Sequence, residues 1–162
     1  MRTLDKFFAL INDGNPFKDI DSDIEVWRKV EEFIGTTRLV GELEVDPVIL
    51  STEKLLLRSI ISYLINFQPE TERNYSTIAD ILRTALYKVK GGKNGLDDFL
   101  SWVATNHEDS FCYQQYLAAK HIKENFDMAV VCLLDKLTVL EILEKNDVRK
   151  KRAHDDKIIV SD

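Results

Sequence analysis

The sequence predicts an all-α protein, a single compact bundle of about six helices with short extended segments at its two ends. Three observations carry this. Apolar residues recur at three- and four-residue spacing over most of the chain. Helix-start signals precede those runs: Ser22 with Glu25, Asp46 with Pro47, and Asn74 or Ser76. Stretches that read as strand, "DKFFALIN" and "KIIVSD", occur only at the ends.

Gly14, Asn15 and Pro16 form a turn signal, so residues 1–20 read as an irregular or extended lead-in. The first helix follows a Ser22/Glu25 capping box, with Ile24, Trp27, Val30 and Ile34 as its apolar stripe and Gly35 as its stop. "TTRLVGELEV" reads as a loop or a short extended segment. Asp46 and Pro47 then open a helix through "EKLLLRSIISYLINF", in which Leu55, Leu56, Leu57, Ile60, Ile61, Leu64, Ile65 and Phe67 cover most of the circumference. A helix apolar nearly all round is a central, buried one. Pro69 ends it.

The third helix carries Ile78, Ile81, Leu82, Ala85, Leu86 and Val89, and "GGKNG" ends it. A fourth carries Leu96, Phe99, Leu100 and Val103, with Asp97 and Asp98 favouring its N-terminus. A fifth starts near Asp109 with Phe111, Cys112, Tyr116 and Ala119; a sixth runs from about Phe126 to Leu143. No Gly or Pro separates the last two, so one long helix is an alternative. The division is therefore 1–20 lead-in, 21–145 all-α domain, and 146–162 charged connector and strand.

Composition narrows function. The chain has 162 residues, enough for one domain with a real core. Its net charge of -6 opposes non-specific duplex binding over the whole surface, which needs a basic stripe. Cys112 and Cys132 lack CxxC spacing and read as reduced core residues. No secretory signal pattern opens the chain and no apolar run reaches membrane-spanning length, so the expectation is a soluble polypeptide of a reducing compartment.

No catalytic constellation is visible. His107, His121 and His154 lack metal-ligand spacing and read as surface histidines. "KGGKNG" lacks the GxxxxGK[ST] spacing of a phosphate loop and reads as an interhelical turn. Two basic clusters remain: Lys88, Lys90 and Lys93, which complement the third helix's C-terminus, and Arg149, Lys150, Lys151 and Arg152, in a solvated connector. These seven are the candidate contacts for nucleic acid or a partner. No catalytic residue, metal ligand or cofactor is predicted.

One stretch also carries a resemblance. "DPVILSTEKLLLRSIISYLINFQPETERNYSTIADILRTA" resembles the start of the all-alpha domain of type IV coupling proteins, the TraG/TraD-like ATPases of conjugation and type IV secretion, in their Gram-positive form. Asp46, Pro47, Glu53, Lys54 and Leu55 to Leu57 fit its "DPFW…AEKLLL" helix; Pro69, Glu70, Glu72, Arg73, Asn74, Tyr75, Leu82 and Arg83 fit "PEERNF.TV.ELLR". "NPFKDI", "GLDDFLSWVATNHEDSFCYQQYLAAKHI" and "VVCLLDKLTVLEI" match further family segments in order, so the resemblance spans nearly the whole chain. Val48 and Ile49 replace the family's "FW", and "KENFDMA" replaces its "GKT..SI".

The resemblance implies a cytoplasmic domain of a larger, membrane-anchored ATPase whose nucleotide motifs lie outside this segment. The segment itself would not be an enzyme. It would recognise transfer substrates: a relaxase or a DNA-processing accessory protein, with single-stranded DNA as a further ligand. Its remaining contacts would be other domains of a hexameric parent, with no membrane contact of its own. The alternatives are a helical module that binds single-stranded DNA directly, and a purely structural interaction domain.

Overall fold

The computed structural model describes the backbone of residues 3–11, 16–38 and 46–160, and side chains of 5–11, 16–38 and 46–146. Gly14 and Asn15 of the predicted turn and residues 39–45 of the predicted loop lie outside these. The described helices are α1 (Thr3–Ile11), α2 (Asp23–Thr37), α3 (Pro47–Phe67), α4 (Tyr75–Arg83), α5 (Gly95–Phe99), α6 (Ser101–Asn106), α7 (Phe111–His121) and α8 (Lys123–Val160). An antiparallel hairpin, β1 (Lys88–Val89) and β2 (Lys93–Asn94), joins α4 to α5. None of the described helices is long and apolar enough to cross a membrane.

α3 is the central post, as its sequence predicts. The Asp46 carboxylate accepts from Val48 N at 2.8 Å, and Pro47 occupies the first turn, where a missing N–H costs nothing. α2, α4, α7 and α8 all pack on it. Leu56, Leu57, Ile60, Ile61 and Leu64 are buried, and so is Ser59, whose hydroxyl donates to Cys112 O on α7 at 2.7 Å. At the far end Gln68 caps α3, and Arg73 reaches back to donate to the carbonyls of Leu64, Ile65 and Gln68 at 3.1–3.3 Å. The Leu64 carbonyl also accepts from Gln68 N at 3.2 Å; the guanidinium adds a second donor there, serves the Ile65 and Gln68 carbonyls, and complements the helix's negative end.

Asn74 is the cap of α4: its side chain accepts from Thr77 N at 2.8 Å. Buried Tyr75 then stands between Phe17 and Phe33, with ring centroids 5.3 and 5.8 Å away, and its hydroxyl donates to Leu10 O of α1. One aromatic residue thus ties α1, α2 and α4 together.

Several expectations change. Both ends are helical where short extended segments were expected. In α1, Phe7, Leu10 and Ile11 lie at helical spacing and are buried against the bundle. Residues 157–160 continue α8, because no Gly or Pro between Lys123 and Val160 breaks the helix. α2 runs through Gly35 to Thr37, and its core face is Val26, Val30, Phe33 and Ile34; Ile24 and Trp27 are exposed. The third helix ends at Arg83, followed by a 3₁₀ turn through Leu86, so Leu86 and Val89 leave the core stripe. The fourth divides at Leu100 into α5 and α6, and α7 and α8 are separate helices broken at Ile122. Cys112 is buried, Cys132 only half-buried, and neither is in a disulfide.

Candidate interaction surfaces

Lys88, Lys90 and Lys93 lie on the hairpin rather than at a helix C-terminus. Gly91 and Gly92 hold its turn with φ of 86° and 76°, values that glycine adopts without strain. Lys88 of β1 lies opposite Asn94 of β2, and its ammonium lies 3.2 Å from Asp127 of α8. Tyr87, at the hairpin's entry, is 68% exposed.

The hairpin's base is firmly planted. Gly95 N donates to Tyr87 O at 2.8 Å, closing the loop. Asn94 and Asp97 form a reciprocal capping box at the start of α5, both bonds 2.9 Å. Tyr116 of α7 donates its hydroxyl to Asp97 at 2.9 Å, and Lys120 makes a short ion pair with the same carboxylate. Burial pushes Asp97 up, but the bonds from Lys120, Asn94 N–H and Tyr116 outweigh it and hold the carboxyl below its usual range. Burial, with Asp97 beside it, raises the Tyr116 phenol, so it stays a neutral donor.

Arg149, Lys150, Lys151 and Arg152 fall within α8, so the predicted connector is helical there. Their side chains lie outside the described residues. The hairpin and this basic run are therefore at separate points of the fold's sequence, and no contact between them is described.

Sequence reasoning passed over a more concave surface. Ile24 and Trp27 of α2, taken as core, line a cleft of about 540 Å³ with Phe111 of α7; Asp23 and Arg28 stand at its rim. Trp27 is 47% exposed yet fixed in place: the Arg58 guanidinium lies 3.8 Å from its ring centroid. Arg58 is itself held by a 2.7 Å bond from Nε to Gln115 Oε1 of α7. Burial lowers the Arg58 pKa, while Glu31 acts in the opposite sense. The signal for this cleft was present in the sequence as two bulky residues in excess on α2, which has four better-placed residues for its core face.

A further aromatic patch covers the end of α3. Tyr63, Phe67, Phe99, Trp102 and His107 meet in T-shaped and tilted contacts with centroids 4.8–6.0 Å apart. Trp102 is 54% exposed, and His107 is exposed as expected. Among the described residues no group of three His, Cys, Asp or Glu side chains is arranged to hold a metal ion.

No family model matches the chain, and no curated protein or solved structure matches it either.

Proposed function

We propose that this chain is the substrate-recognition domain of a conjugative type IV coupling protein, working in the cytoplasm and binding a relaxase or an accessory DNA-processing protein. The ordered sequence motifs motivate the family. The cleft between α2 and α7 carries the recognition role. Its apolar walls suit a bulky side chain of a partner, and a tryptophan locked by stacking loses little freedom on binding. The family-like "PETERNY" segment fits this division of labour: Arg73, Asn74 and Tyr75 brace the scaffold and leave recognition to the surface.

The test is binding of the 162-residue chain to the purified relaxase of the same element. Trp27→Ala should weaken that complex by about 2 kcal/mol, the scale of an aromatic anchor. Absence of binding, or equal binding by the variant, overturns the reading.

A second reading, direct binding of single-stranded DNA, is favoured by one observation: exposed Tyr87 enters the hairpin that carries Lys90 and Lys93, which offers a stacking face and phosphate-binding cations on one element. On this reading Lys90→Glu and Lys93→Glu would each lower the log–log salt slope of binding by about 0.7.

A further inference from the structure

Two exposed apolar surfaces of opposite charge lie towards opposite ends of α7. At its N-terminal end is the cleft of Ile24, Trp27 and Phe111. Asp21 and Asp23 stand at the start of α2, and Glu108 and Asp109 come just before Phe111. All four are exposed, and none forms an ion pair among the described residues. Residues 19–25 and 105–111 contain no Lys or Arg. Arg28 on the rim is paired with Glu25 at 3.1 Å.

At the other end is the hairpin. Its base is held by Asp97, which Tyr116 and Lys120 of α7 bind, and Lys88 reaches Asp127 near the start of α8. Leu86, Tyr87 and Val89 are exposed. Tyr87 has extended backbone, so at strand period it shares a face with Val89. Lys90 and Lys93 are exposed, and neither forms an ion pair among the described residues. The hairpin therefore offers an aromatic side chain flanked by cations, and the cleft an apolar recess flanked by carboxylates. That is the complementarity that selects one partner over others. The 11 residues of α7 span about 16 Å, so the two surfaces of one chain stay apart. A second copy can bring them together.

We infer that the α2–α7 cleft receives the hairpin of a second copy of this chain, with Tyr87 between Trp27 and Phe111 and with Lys90 and Lys93 facing the carboxylates around it. The contact is heterologous: each copy keeps a cleft at one end and a hairpin at the other, so copies join head to tail. The surfaces are small and the steering is by charge, so the association is weak and salt-sensitive. This goes beyond the relaxase reading and adds regulation to it, because a docked hairpin fills the cleft assigned to the relaxase.

The experiment is sedimentation of the whole chain alone. The average mass of wild type should rise with concentration and fall back as salt is added. Tyr87→Ser and Ile24→Lys, both at exposed positions, should each weaken association by about tenfold or more while the melting temperature holds. Where Ile24→Lys melts early, Asp23→Lys on the rim replaces it. An equimolar mixture of a hairpin variant and a cleft variant decides the geometry. It holds one intact cleft and one intact hairpin, on different chains, and should form one-to-one dimers and nothing larger. A wild-type chain that stays monomeric to about 1 mM overturns the inference. So does a mixture that fails to associate, or association of both variants at wild-type strength, which would place the contact elsewhere, such as the Arg149 to Arg152 run. A monomeric chain that still binds the relaxase would leave the relaxase reading standing.

Discussion

Lys136 of α8 and Glu53 of α3 form an ion pair inside the protein: Nζ lies 2.8 Å from Oε1, with the two side chains 4% and 0% exposed. The pair joins the central helix to the longest one and fixes their relative register, since a one-residue slip of either helix would part the two charges.

Removing either side chain takes the Nζ–Oε1 bond from a partner that stays buried. Glu53→Ala or Lys136→Ala should therefore cost about 3–5 kcal/mol, whereas a double replacement by apolar residues of similar volume should cost far less. Urea melts of the three variants check this; equal losses for the single and double variants would contradict it.

Leu57 and Ile61 are fully buried on α3, and Ile24 is 73% exposed on α2. Leu57→Ala and Ile61→Ala should each destabilise by about 2–5 kcal/mol. Ile24→Ala should stay within about 0.5 kcal/mol of wild type. Thermal melts that rank Ile24→Ala with the other two would place α2 in the wrong rotation.

Glu144 of α8 accepts from Ser76 N at the start of α4 at 3.2 Å. Burial raises its carboxyl from 4.5 to about 7, the bonds from Tyr75 and Ser76 N–H opposing and Glu141 adding to the rise. The folded protein thus holds this proton more tightly than the unfolded chain does. Stability from this group is full below about pH 4.5 and is lost as pH rises towards about 7. Glu144→Gln keeps an acceptor and removes the titration. The wild-type melting temperature should fall relative to the variant across that window; a constant difference would show that Glu144 does not titrate there.

Gly95 begins α5 beside the end of α4, and a Cβ there would collide with the Thr84 backbone carbonyl. Gly95→Ala should cost about 1–3 kcal/mol, because backbone must shift to make room. Gly35 has nothing near its Cβ position, and Gly35→Ala should be neutral or stabilising by up to about 1 kcal/mol. Parallel melts of the two variants measure the contrast.

The sequence by itself determined the helical class, the central place of α3 and the caps at Ser22 and Asp46, and narrowed the cap of α4 to Asn74 or Ser76. All of these rest on local chemistry: spacing of apolar residues, and side-chain acceptors next to unsatisfied N–H groups. Only tertiary structure decided which apolar residues go inside. α2 offers six large hydrophobic residues, more than one face can bury, and contact with α1 and α3 chose Val26, Val30, Phe33 and Ile34, leaving Ile24 and Trp27 to form a cleft with Phe111. The hairpin was equally hidden, because two residues per strand carry no periodic signal; it exists through the turn glycines and a base held by Asp97 of α5 with Tyr116 and Lys120 of α7, residues distant in sequence that meet across two helices. The ends turned on the same limit: a short apolar segment has no preferred period of its own, and α1 is helical because the bundle covers Phe7, Leu10 and Ile11.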